Sequence, residues 1–364
     1  MLLPRKLTAP KAATLAGAFF LAAFAALGPA QTQPQPKAQP IELRGAGSTL
    51  AAPLYSKWND AFQRAHPNVA LHYDAVGSGE GVKRFLAGAI DFGGSDEPLD
   101  LPQKAKVERG VIQTPATAGL IVLAYNLPEA KGELKLPQDV YVDIFLGRIR
   151  SWNDPRIKAA NPGLSLPAKD IAIIGRRDSS GTTFAFTSHL AAISKTWKEH
   201  GPGVGKIVAW PQETMIARGN EGVASRIKIS DGSIGYVEYG FARRLDLKVA
   251  TLENKAGRFV APTTESGMAA FANTAGEGID GLEAATFNPP GAEAYPIATY
   301  SWLLLYRHYP AGLGDALKSY AFYALDQGQA EALALGYIPL PKPVVELAKA
   351  AVEQVDASTA ASQH

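Results

Sequence analysis

The sequence predicts an α/β protein of two domains. Three observations carry this. Strand-like and helix-like stretches alternate along the chain, the chain has 364 residues, more than one core usually serves, and its polar loops fall between the two kinds of stretch. "VALHYDAV" (69–76), "AIDFGGS" (89–95), "LIVLAYN" (120–126), "DIAIIG" (170–175) and "IGYVEYG" (234–240) read as strands, rich in β-branched or aromatic residues and mostly closed by Gly, Asn or Ser. Helices fill the intervals. Leu50, Leu54, Trp58 and Phe62 recur every fourth residue, Val82, Phe85 and Leu86 follow i, i+3, i+4, and Phe186, Leu190 and Ile193 follow i, i+4, i+7. No internal repeat interrupts this order.

Both ends read as non-structural. Arg5, Lys6 and Lys11 precede the uncharged run Ala12–Leu27, and small residues end at Ala30. A basic start, a short apolar run and a small-residue exit are the marks of a cleaved secretory signal over 1–30. The run is shorter than the roughly 20 residues of a membrane span. "QTQPQPKAQP" continues as a Pro- and Gln-rich, disordered lead-in at 31–40, and "DASTAASQH" (356–364) reads as a frayed tail. The chain has no cysteine, which excludes disulfides, thiolate metal sites and a lipid-anchor cysteine. An exported, unlipidated chain is expected in the periplasm. Without residues 1–30 the acids and bases nearly balance, which argues against a nucleic-acid partner.

Three short segments share one design. "GAGSTL" (45–50), "VGSGEG" (76–81) and "DSSGTT" (178–183) are turns of Gly, Ser and Thr that lead into the three helices above. The first N–H groups of a helix lack intrahelical partners and carry partial positive charge. One such turn is ordinary capping. Three in one chain, one preceded by Arg176, point to an anion site, because guanidinium groups match oxyanion geometry. Asp96, in "DFGGSDEPL" (91–99), is either a turn cap or an acceptor. In an anion site it would accept a hydrogen bond from a protonated oxyanion and disfavour one with no proton to give.

Catalytic readings find less support. "GAGSTLAAP" lacks the lysine of a phosphate-binding P-loop, and Ser180 lacks the G-x-S-x-G setting of a hydrolase nucleophile. His66, His72, His189, His200, His308 and His364 form no H-x-x-x-H pair, so neither a metal nor another cofactor is called for.

With these segments in order, joined by "FLGRIRSWNDPRI" (145–157), "NPGLSLP" (161–167) and "GSIGYVEY" (232–239), the sequence resembles the periplasmic phosphate-binding proteins of high-affinity phosphate ABC transporters, from about Ile41 to Val352. The resemblance implies a type II periplasmic binding protein fold, with two α/β lobes around a ligand cleft. Lobe one would span 41–125 and 296–355, and lobe two 126–295. It implies a phosphate site of Thr49, the Leu50 N–H, Ser78, Asp96 as proton acceptor, Arg176, Ser180, Gly181 and Thr182, with Asp178 steadying Arg176. Leu50 stands where many relatives carry an aromatic residue. Glu80 is expected to face solvent and Arg177 to turn away from the site. The partners would be inorganic phosphate and the membrane permease, with its cytoplasmic ATPase, and the protein would be a monomer. A phosphoesterase using the same pocket, or a binder of arsenate or sulfate, are the rival readings.

Overall fold

The computed structural model describes residues 40–272, 274, 278–282 and 286–359. The expected signal segment and most of the lead-in lie outside them. So do residues 360–364 of the expected tail. Asp356–Thr359, read from sequence as part of that tail, instead pair as a strand with His308–Pro310. Among the described residues no helix is long and apolar enough to cross a membrane.

One nine-stranded sheet organises the chain. Its spatial order is 69–75, 41–47, 92–95, 298–306, 111–126, 233–238, 172–176 and 215–217, with 248–249 paired beside the central strand. That strand, Val111–Asn126, is buried along all but its two end residues. It changes partner part-way: Val111–Leu120 pair with Ala298–Tyr306, and Ile121–Asn126 pair with Ser233–Glu238. The sheet is therefore two half-sheets sharing one strand. Within each half, the strands flanking this antiparallel middle run parallel to one another: 41–47 with 69–75 and 92–95, and 172–176 with 215–217 and 233–238.

The helices follow the apolar spacing of the sequence. Ala52–Ala65 buries Leu54, Tyr55, Trp58 and Phe62, carries a proline in its first turn and stops at His66 before Pro67. Ser78–Leu86 buries Val82 and Phe85, and Gly181–Ile193 buries Phe186 and Leu190. The strands 41–47 and 298–306 and the start of the central strand, at 111–119, were not apparent from alternation. The first is glycine-rich, and the last holds Pro115 and Gly119, with a register shift opposite Ser301 and Trp302. Parallel strands impose a consequence for function: ligands bind beyond their carboxyl ends.

Glu238 closes its strand at the point where the central strand changes partner, opposite Ile121. It is fully buried; its Oε1 accepts the Gly240 N–H at 2.8 Å, while Oε2 has no hydrogen-bond partner among the described residues. Burial pushes its pKa up from 4.5 to about 8, against the opposing pull of the Gly240 N–H and Arg244. Between these values the folded chain holds a proton that the unfolded chain has lost, so stability falls as pH rises from about 4.5 to about 8. Glu238→Gln removes this term. Melting temperatures taken across that range should show the variant gaining on wild type as pH rises; a constant difference would mean that Glu238 does not carry the proton.

Candidate functional site

Each segment singled out in the sequence leaves the carboxyl end of a parallel strand. Ile41–Gly47 runs into Ser48, Thr49 and Leu50, Val69–Ala75 into Gly77 and Ser78, and Phe92–Ser95 into Asp96. Asp96 is only 1% exposed, and the protein supplies its solvation. Ser48 Oγ donates to its Oδ1 at 2.6 Å, Ser301 Oγ donates to the same oxygen at 2.8 Å, and Ser78 Oγ reaches Oδ2 at 3.3 Å. The Asp96 N–H donates back to Ser78 Oγ at 3.1 Å. Burial raises the pKa of Asp96, and Ser48, Ser301, the Arg176 charge and Ser78 pull the other way. Tyr337 Oη donates to the Leu50 carbonyl at 2.7 Å and Tyr73 Oη to that of Ser48 at 3.1 Å, which fixes the loop holding Thr49.

The other half-sheet presents Arg176 at the end of Ala172–Arg176. Its Nε donates to Asp178 Oδ1 at 2.9 Å and its Nη2 to Oδ2 at 2.6 Å, a two-pronged pair with the arginine side chain only 1% exposed. The Gly219 N–H also donates to Asp178 Oδ1 at 2.9 Å. Burial alone would raise the Asp178 pKa, but the hydrogen bonds and charge of Arg176, with Gly219, hold it below the usual carboxylate value. Ser180 caps the helix Gly181–Ile193, its Oγ accepting the Thr183 N–H at 3.0 Å. The N–H groups of Gly181 and Thr182, in the first turn, have no partner within the helix. Behind them Tyr236 Oη accepts the Arg176 N–H at 3.2 Å and lies 2.7 Å from Thr183 Oγ1.

The two halves touch. Arg176 Nη2 donates to Thr49 Oγ1 at 3.1 Å and Nη1 to Thr182 Oγ1 at 3.4 Å. The Gly79 N–H donates to the Ser179 carbonyl at 3.0 Å. Lys206 forms an ion pair with Glu97, next to Asp96, while its carbonyl accepts the Ser180 N–H at 2.9 Å. Gly181 packs against Asp96 so closely that a Cβ there would lie 2.4 Å from Ser78 Oγ and 2.6 Å from Asp96 Cβ.

The three Gly/Ser/Thr turns therefore converge, and Thr49, Ser78, Asp96, Arg176, Asp178, Ser180, Gly181 and Thr182 come together. Two donors expected to face a ligand are turned inward: the Leu50 N–H donates to Ser48 Oγ at 3.0 Å, and the Ser180 N–H to Lys206. Glu80 accepts from Arg84 at the surface, and Arg177 is exposed. Ser48, Ser301, Gly219, Asn220, Tyr236 and the Glu97–Lys206 pair were not singled out. "RGNEG" (218–222) offered one signal, a fourth glycine-bearing turn opening a helix, Gly219–Ile229. Among the described residues no cluster of His, Cys, Asp and Glu is arranged to hold a metal ion.

The description "PBP superfamily domain" fits residues 26–327. The phosphate-binding protein PstS of Pasteurella multocida is 40% identical over 306 residues, covering 84% of this chain and 88% of its own. That of Haemophilus influenzae is 39% identical over 317 residues, covering 86% and 93%. The chain belongs to the PstS family. A solved phosphate-binding protein from Stenotrophomonas maltophilia matches this PstS-family member with a TM-score of 0.67 at 21% identity, over 85% of this chain and 93% of that one. A high-affinity periplasmic phosphate-binding protein, solved with phosphate bound, gives 0.69 at 22%, over the same shares. These likenesses establish the two-lobed α/β binding-protein fold.

The close approach of Gly181 to Asp96 makes a prediction about shape. Gly181→Ala places a methyl group where Ser78 and Asp96 now sit. The halves should be held apart, so small-angle scattering should give a larger radius of gyration than wild type at an unchanged melting temperature. An unchanged radius would show that the helix start shifts locally instead.

Proposed function

We propose that this PstS-family chain binds inorganic phosphate between its two lobes and delivers it to the permease of an ABC transporter. The arrangement that carries this reading is one buried carboxylate, Asp96, set against a wall of donors: the Arg176 guanidinium, the N–H groups of Gly181 and Thr182, and the hydroxyls of Thr49, Ser180 and Thr182. A phosphate that keeps a proton at neutral pH donates a hydrogen bond through it to Asp96 and accepts from all the others. Sulfate has no proton to give and would leave a buried acceptor facing negative charge. Ser78 and the Leu50 N–H, which now donate to Asp96 and to Ser48, join this set by exchanging those partners for the ligand. Its relatives in Pasteurella multocida and Haemophilus influenzae, named for phosphate binding, support the same reading.

The donor set also speaks against hydrolysis. Among the described residues no imidazole or carboxylate is hydrogen-bonded to Ser180, whose Oγ serves as a helix cap. The N-terminal segment then acts as a cleaved export signal, and the chain works as a periplasmic monomer. With lobe one at 41–125 and 296–355 and lobe two at 126–295, Thr49, Ser78 and Asp96 face Arg176 and Ser180–Thr182, so a bound ion favours the closed form that the permease recognises.

Titration calorimetry with phosphate and with sulfate tests this reading. Wild type should bind phosphate and reject sulfate at neutral pH. As pH falls through the raised Asp96 pKa, the acceptor becomes a donor and sulfate should begin to bind. Asp96→Asn, whose amide can present either a carbonyl or an NH2, should bind phosphate about as well as wild type and accept sulfate at neutral pH. An equal phosphate-to-sulfate ratio in wild type and variant would remove Asp96 as the discriminator and leave it a turn cap.

A further inference from the structure

Asn220 is completely buried at the start of the helix Gly219–Ile229, and it reaches both halves of the site. Its Nδ2 donates to Thr182 Oγ1 at 3.0 Å and to Thr49 Oγ1 at 3.2 Å, and its backbone N–H approaches Thr49 Oγ1 at 3.3 Å. Its Oδ1 accepts the Glu238 N–H at 3.0 Å. That last bond decides which end of the amide is which. Turned over, the amide would press its NH2 against a buried N–H and set its oxygen on the two hydroxyls.

The proton count at the threonines follows. Thr49 Oγ1 is approached by Arg176 Nη2 and by two Asn220 donors, and Thr182 Oγ1 by Arg176 Nη1 and Asn220 Nδ2. None of these groups can accept a hydrogen bond. A hydroxyl has one proton and two lone pairs, so lone pairs that receive outside donors leave the proton to point elsewhere. Among the described residues no group accepts from either hydroxyl, so both protons are left for a ligand bound beside Arg176. We propose that Asn220 is a positioning residue that commits the hydroxyls of Thr49 and Thr182, one from each half, to donate to the bound oxyanion. The proposal rests on the phosphate reading above. In water a threonine hydroxyl offers an oxyanion either a proton or a lone pair; held this way, it offers only the proton, with no reorganisation on binding. Because the same amide grips both halves, it also couples the Thr49 loop to the start of the helix at Gly181. Glu238, by holding the amide, links this coupling to the place where the central strand changes partner.

A double-mutant cycle separates this role from mere packing. Phosphate affinity is measured by calorimetry for wild type, Asn220→Ala, Thr49→Val with Thr182→Val, and the triple variant. Asn220→Ala should weaken binding by at least about tenfold in wild type. In the valine background, where there are no hydroxyl protons to direct, it should cost less than about twofold. An equal cost in both backgrounds overturns the proposal and makes Asn220 a packing residue. If Asn220→Ala fails to fold, Asn220→Asp takes its place, since it keeps the shape, the backbone N–H and an acceptor for Glu238. It should fold and lose phosphate by at least about tenfold, and by a clearly smaller factor in the valine background. Its added charge acts equally in both backgrounds, so a loss undiminished by the valines again overturns the proposal. Failure of wild type itself to bind phosphate is a different result: it overturns the phosphate reading, and the proposal with it.

Discussion

A carboxylate withdrawn from water must be solvated by the protein, and at Asp96 this requirement organises the site. The three hydroxyls that meet it come from three separate segments: Ser48 after the strand 41–47, Ser78 at the start of a helix, and Ser301 on the strand 298–306. For all three to arrive, 92–95 must lie between 41–47 and 298–306 in the sheet, which is where it lies. Gly47 and Gly94 let those strands carry their turns close together, since a Cβ on Gly47 would fall 1.9 Å from the Gly94 carbonyl oxygen.

The charge on the other side is handled differently. Arg176 is bound at two points by Asp178, so the cation is fixed and largely neutralised before any ligand arrives. A buried pair of this kind contributes geometry more than stability. On the phosphate reading, selectivity would rest on the directions of hydrogen bonds and not on net charge, in keeping with a chain whose overall charge is only +2. Donors surround the space, one acceptor stands in it, and Asn220 holds the Thr49 and Thr182 hydroxyls from behind.

Much of this was legible in the sequence, and the reasons are local. A helix start with Gly, Ser and Thr is written in consecutive residues, so the turns at 45–50, 76–81 and 178–183 could be read and their convergence anticipated. The strands 69–75 and 233–238 were visible for the same reason. Ser48, Ser301 and Asn220 were not, because their roles come from partners distant in the chain: Ser301 meets Asp96 across 205 residues, and Asn220 meets Thr49 across 171. No periodicity marks such contacts. The strand 41–47 escaped notice because its glycines suit close packing against neighbours and so lower its own strand signal. Asp356–Thr359 looked like tail because its residues are small and polar, yet it finds an edge at His308–Pro310 to pair with.

On the proposed reading, phosphate lies between Asp96 and the Arg176 side of the site, as a ligand that both gives and accepts hydrogen bonds. A crystal structure grown with phosphate at neutral pH tests it directly. It should show one phosphate with an oxygen within hydrogen-bond distance of the Asp96 carboxylate, and with its other oxygens on Arg176, the N–H groups of Gly181 and Thr182, and the hydroxyls of Thr49 and Thr182. A phosphate seated elsewhere, with Asp96 still bonded only to Ser48, Ser78 and Ser301, would contradict it.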